Sequence, residues 1–190
     1  METTQVMTKT NPVATGWTID PDNSQIGFRV KYLLFSNVWG SFKEFNASIY
    51  TTGEDFTTAE IDFWINSASI DTGNEQRDAH VKNADFLDVE KFRQIRFSGN
   101  TVTNITNTGR YELYGELTMK GVTKHITLDV ENGGFIMDPW GRRKALFSIS
   151  GKINRKDWGL NWNTALETGG VLVSDDVWIN CELQLKKNQL

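Results

Sequence analysis

Alternation with a period of two runs through most of this 190-residue chain and constrains it more than any other feature. Ile26, Phe28 and Val30 are separated by Gly27 and Arg29. Ile61, Phe63 and Ile65 are separated by Asp62 and Trp64, and Ile95 and Phe97 by Arg96. Leu113, Leu117 and Met119 share a face with Tyr111 and Gly115, while Ile126, Leu128 and Val130 oppose His125, Thr127 and Asp129. Phe147, Ile149 and Ile153 follow, then the row Val177, Ile179, Cys181, Leu183 and Leu185. A strand sends successive side chains to opposite faces, so each segment reads as a half-buried antiparallel strand with one apolar face. Turn signals stand between strands at Thr52-Gly53-Glu54, Asn132-Gly133-Gly134 and Asp138-Pro139-Trp140-Gly141. A meander of about eight such strands has two open edges, and closure into a barrel removes them. The fold class is therefore all-β, an antiparallel β-barrel.

One stretch, Asp71 to Lys82, breaks the rhythm with helix-forming residues. It predicts one or two short helices: the first capped by Asp71 or Thr72, the second over Phe86 to Phe92 behind an Asp85 cap. Residues 1–15 are polar and threonine-rich and read as a flexible tail, leaving 16–190 as one barrel domain. With 20 Lys plus Arg against 24 Asp plus Glu, the net charge of −4 argues against a nucleic-acid partner. The N-terminal segment has no apolar core, and no run approaches the roughly 20 apolar residues of a membrane helix. That pattern predicts no membrane span and a cytoplasmic protein. A single cysteine rules out an intrachain disulfide framework, and two histidines argue against a multi-His metal centre. Phosphate-binding glycine loops and nucleophile elbows are absent from the sequence, so no motif calls for a cofactor.

The apolar face carries the main functional clue. Ile26, Phe28, Phe63, Ile65, Phe97, Leu113, Leu117, Leu128, Phe147, Ile149 and Ile179 would all point into the barrel. Eight strands enclose enough room either to pack shut or to hold one slender ligand, and both outcomes share one composition. A second candidate is Arg77, Asp78 and His80, crowded into four residues. They could serve a lipid-like substrate as acid, base and cation, or form a local network that fixes the helix. A metal there would need Asp78, His80 and Asp85 or Asp88 to converge. Trp39, Trp64, Trp158, Trp162 and Trp178 could cover barrel ends or a dimer face, and a third reading uses exposed tryptophans as a carbohydrate-binding platform over a filled interior. His125 falls on a polar strand face. Cys181 falls on an apolar face as a buried thiol. Arg155 could pair a phosphate or carboxylate bidentately, but the favoured expectation is a structural pair with Asp157 that closes a turn.

Several blocks together resemble the YceI-like family over roughly residues 16–186: Trp17 to Ser24, Ser69 to Val81, Asp85 to Asp88, Phe92 to Phe97, Gly115 to Lys124 and Ile153 to Gly159. The resemblance implies an extended lipocalin-like barrel. It also implies a non-enzymatic protein that holds a long apolar amphiphile such as a polyisoprenoid, an isoprenoid quinone or a fatty-acid derivative. Dimers are common in that family, which leaves a homodimer open. Many relatives are periplasmic, and this chain would be too if a leader had been removed. The family usually has His at the positions of Asn23 and about Tyr32, and Pro at Arg93. These replacements bear on how a polar head group would be held.

Overall fold

The fold closes on β11 (Val173–Lys187), whose row of Val177, Ile179, Cys181, Leu183 and Leu185 faces inward. Its length lets one edge serve two partners. The first part pairs with β2 (Gln25–Tyr32), placing Ile179 opposite Phe28 and Cys181 opposite Ile26. The end pairs with β1 (Ala14–Ile19), placing Leu185 opposite Ile19. β1 and β2 are thus two lengths of one strand, interrupted by a 3-10 turn at Pro21–Asn23. β3 (Ser36–Phe42) lies against β2, and β4 (Phe45–Thr52) against β1. β5 (Asp55–Asn66) lies against β4, and β6 (Ile70–Asp71) against β3, with a second 3-10 turn at Ser67–Ser69 between them. β7 (Gln94–Thr106), β8 (Arg110–Met119), β9 (Val122–Met137) and β10 (Arg143–Asn154) continue the meander back to β11. With each broken strand counted once, the sheet is a closed eight-stranded antiparallel barrel. The computed structural model describes residues 13–106, 109–167 and 169–189.

The three interruptions, at Pro21–Asn23, at Lys43 and Glu44 between β3 and β4, and at Ser67–Ser69, sit side by side, and beyond them the sheet parts. β6 meets β3 only at Ser41 and Phe42, while β7 pairs with β5. The helix α1 (Glu75–Lys82) and the turns after it span this gap. They are pinned to the β8–β9 hairpin, where Lys120 Nζ donates to the Ala84 carbonyl at 3.0 Å. The break at Pro21–Asn23 is fixed by a buried ion pair. Asp20 accepts from Lys144 Nζ at 2.7 Å and from Asn23 Nδ2 at 3.1 Å, with Lys186 Nζ at 3.2 Å. Burial raises the Asp20 carboxyl, but these donors outweigh it and hold the pKa at about 2.

Four local expectations change. β1 starts at Ala14, within the stretch read as tail; residues 1–12 lie outside the described residues. The cap of α1 is Asn74, whose Oδ1 accepts from the Arg77 N–H at 2.9 Å, because Asp71 is in β6 and Thr72 is itself held by Asp78. Phe86 to Phe92 is a series of turns, with Asp88 at φ +50°. Phe86, Leu87 and Val89 are all buried there, whereas a surface helix buries a single stripe spaced three to four residues apart. Asn132-Gly133-Gly134 lies inside β9 as a bulge opposite Leu146 and Phe147, with Gly134 at φ +85°, rather than as a turn. Among the described residues no helix is long and apolar enough to cross a membrane.

Candidate functional site

The barrel interior is open. A cavity of about 730 Å³ runs from the closed end of the barrel to the side bridged by α1. All eleven inward positions named from the alternation line it, from Ile26 and Phe28 on β2 to Ile179 on β11. Its floor is aromatic. Phe56 packs edge-on against Phe147 with ring centres 4.7 Å apart, and lies 4.9 Å from the buried indole of Trp17.

The openness has a local cause. Phe28 lies flat over Gly40, directly opposite it on β3, where a Cβ would meet the ring at 2.3 Å. Phe97 lies over Gly115 and Gly99 in the same way, at 2.5 and 2.9 Å. Leu128 covers Gly151, at 2.7 Å. Missing side chains let large ones lie along the wall instead of across the lumen. Cys181 also faces the cavity, and burial pushes its thiol up to about 11, so it stays protonated at neutral pH.

Polar groups collect at the α1 end. Tyr32, Thr72, Asn74, Gln76, Arg77 and His80 line the cavity there. Arg77 donates Nε to Thr72 Oγ1 and Nη2 to the Thr72 carbonyl, both at 2.7 Å. Asp78 turns away from the cavity to accept from Thr72 N–H at 2.9 Å and Oγ1 at 2.6 Å. His80 Nε2 lies 2.9 Å from Asp85 Oδ2, and its ring meets Trp162 edge-on at 4.5 Å and Phe86 at 5.2 Å. Arg77, Asp78 and His80 therefore do not converge on one point. Arg77 and Asp78 both clamp Thr72, and His80 ties α1 to the following turn. Asp78 also stands apart from the His80–Asp85 pair, so the metal arrangement considered for these residues is not assembled.

Arg155 sits at the same end, 3% exposed. Its guanidinium donates to the carbonyls of Leu160, Trp162 and Ser174, and its nearest carboxylate is Asp175 at 3.8 Å. The expected Arg155–Asp157 pair is replaced by this carbonyl cluster, which ties Leu160, Trp162 and Ser174 together at the opening. Asn23, at the position where the family usually has His, is exposed and bonded to Asp20, outside the cavity lining. Tyr32 does line it. His125 is exposed, as its polar face predicts. The filled interior required by the carbohydrate reading is not found. Trp17 and Trp158 are buried, Trp64, Trp162 and Trp178 are partly covered, and the exposed Trp39 and Trp140 lie on different hairpins. Alternation could not reveal Thr72, Asn74, Gln76 or Trp162, because all four lie outside the strands.

Comparison with known proteins agrees with this geometry. A UPF0312 protein of Staphylococcus aureus is 38% identical over 164 residues, covering 86% of this chain and 92% of that protein. The crystal structure of the Campylobacter jejuni YCEI protein is 33% identical, with a TM-score of 0.72 over 84% of this chain and 90% of that one. A polyisoprenoid binding domain from Saccharophagus degradans, 13% identical, shares the fold at a TM-score of 0.66 over 90% of this chain and 98% of that one. The family model described as the YceI-like domain matches residues 17–185, and the chain belongs to that family.

Proposed function

We propose that this protein is a non-catalytic carrier holding one long-chain amphiphile, an isoprenoid or a fatty-acid derivative, with its tail in the barrel and its polar end at α1. The observation that supports this most directly is the division of the cavity. Apolar walls enclose about 730 Å³ above an aromatic floor, and most of the polar side chains of the lining gather at the other end, Tyr111 on β8 lying apart from them. A tail there would be removed from water at about 0.8 kcal/mol per methylene, before the cost of ordering it. The size suits one small ligand. Arg77 suits a polar or anionic head. Two of its nitrogens are oriented by Thr72, and among the described residues no carboxylate lies within ion-pair distance of it. The polyisoprenoid-binding domain that shares this fold supports the isoprenoid choice.

The carrier reading is favoured over catalysis by the disposition of Arg77, Asp78 and His80, two of which are engaged in holding Thr72. Cytoplasmic residence belongs to the same proposal, and a homodimer is compatible with it. The test is organic extraction of protein purified from its native cells, followed by mass spectrometry. Recovery of a stoichiometric isoprenoid or acyl lipid is expected, unaltered after prolonged incubation with the protein. An empty barrel that binds no long-chain probe, or chemical conversion of the bound lipid, would overturn the proposal.

A further inference from the structure

The tip of the β2–β3 hairpin is Leu33-Leu34-Phe35. Leu33 and Leu34 both take left-handed backbone angles, φ +52° and +68°. That region disfavours any residue with a Cβ, and Asn-Gly is the usual solution for such a pair. All three side chains are exposed, Phe35 to 90%. The turn would be better served by Asn and Gly and the surface by polar residues, so folding alone does not explain this tip. It borders the opening. Leu33 N–H donates to the Leu172 carbonyl at 2.9 Å, Leu34 packs on Gly170, and both flanking residues Tyr32 and Leu172 line the cavity.

Behind the tip, the outer face of the hairpin and of the adjoining β11 carries aromatics and cations. The Arg29 guanidinium lies 4.2 Å from the Trp178 ring centre and 5.8 Å from that of Trp39, and Lys31 Nζ lies 5.9 Å from Trp178. Among the described residues neither cation has a carboxylate within ion-pair distance, in a chain whose net charge is −4. Moving back from the tip, the order is apolar residues, then tryptophan with Lys and Arg. A bilayer offers the same order from acyl chains to interface to anionic phosphates. We propose that this hairpin docks the mouth of the barrel onto an anionic lipid bilayer, so that a hydrophobic ligand can pass between membrane and cavity without crossing water.

The opposite end of the barrel supplies an internal control. Trp140 and Met137 are exposed on the β9–β10 hairpin, beside the aromatic floor rather than the opening. The experiment is co-sedimentation of the ligand-free full chain with vesicles of phosphatidylcholine containing about a quarter phosphatidylglycerol, and with phosphatidylcholine alone. Its readout is vesicle binding, so it stands apart from what the cavity holds. Wild type should sediment with the anionic vesicles. Leu33→Asn/Leu34→Gly should raise the melting temperature yet lower vesicle partitioning by at least about tenfold, because it relieves the backbone and removes the apolar tip. Phe35→Ser, which leaves the left-handed pair intact, should lower partitioning in the same direction. Arg29→Gln/Lys31→Gln should remove the preference for anionic vesicles, and Trp140→Ser should change nothing. Wild type that ignores vesicles, tip variants that bind like wild type, loss of binding in Trp140→Ser, or burial of Phe35 in a stable dimer would each overturn the proposal.

Discussion

Gly40→Ala separates a ligand cavity from a loosely drawn core. Gly40 has ordinary strand geometry, so alanine brings no backbone strain of the left-handed kind. Its new Cβ would stand 2.3 Å from Phe28 Cζ and 2.7 Å from Cε1. Ordinary carbon–carbon contact is about 3.5–4.0 Å, so the ring must retreat by about 1.5 Å, towards the lumen that it lines. In the empty protein that retreat is tolerated. Leaving its preferred rotamer costs about 0.5–1.5 kcal/mol, and replacing glycine returns about 0.4–1 kcal/mol through the unfolded chain. Stability should change by less than about 1 kcal/mol, or about 4 °C in melting temperature for a chain of this length. Binding is different, because the displaced ring occupies the ligand's path. Overpacking of about 1–3 kcal/mol translates into roughly a 5- to 150-fold loss of long-chain affinity. Differential scanning fluorimetry and equilibrium titration with a fluorescent long-chain fatty acid read the two quantities. Adding Phe28→Leu to Gly40→Ala should recover most of the affinity. A melting temperature lowered by well over 4 °C with unchanged affinity would mean that the ring was pushed into filled space, and the cavity argument would be wrong.

Phe63→Trp and Trp64→Phe probe the wall from both sides. Phe63 lines the cavity while Trp64 sits on the outer face, opposite Asn46 and Arg96, so long-chain affinity should fall in the first variant and shift by less than about 0.5 kcal/mol in the second. Equal losses in both would refute the strand register. Asp20 makes a pH prediction. Its folded pKa of about 2 lies below the ordinary 3.8, so its contribution of about 2 kcal/mol is present above pH 4 and lost as pH falls toward 2. Urea denaturation across that range should show the loss in wild type, and Asp20→Asn should be less stable at pH 7 with a flatter acid limb. Cys181 should react slowly with a thiol reagent at pH 8, where a pKa of about 11 leaves roughly one molecule in a thousand as thiolate. A bound long-chain ligand should slow it further, and rapid modification unaffected by ligand would take Cys181 out of the lumen.

Much of the fold is legible because the pleat enforces a period that the sequence displays. Ile61, Phe63 and Ile65 point inward for the same reason that Val177, Ile179 and Cys181 do. What alternation does not carry is where a strand breaks. Pro21 signals a turn, yet only pairing shows that β1 and β2 continue each other along one edge of β11. Helix capping was ambiguous for a related reason. The sequence offers Asp71 or Thr72 as the cap, but pairing draws Asp71 into β6 and Asp78 takes Thr72, which leaves the cap to Asn74. Gly133-Gly134 was indistinguishable from a turn because a bulge needs the same left-handed glycine, and the strand opposite decides between them.

An empty interior leaves the least trace in the sequence. Phe28, Phe97 and Leu128 would be equally at home in a solid core, and counting them decides nothing. The deciding residues are glycines, and they matter through partners on other strands: Gly40 beneath Phe28, Gly115 beneath Phe97, Gly151 beneath Leu128. Each is an inward position where the alternation predicts a side chain and none is present. Within one strand such a glycine looks like a weak point in the apolar face. Across the ladder it is a recess in which a large side chain lies flat, so bulk that would have crossed the lumen becomes part of its wall. Phe28 and Gly40 show this most directly, because they are register partners on adjacent strands. The open barrel is therefore a property of glycine–bulky pairs, and those pairs can be recognised only once the β2–β3 register, and each register like it, is known.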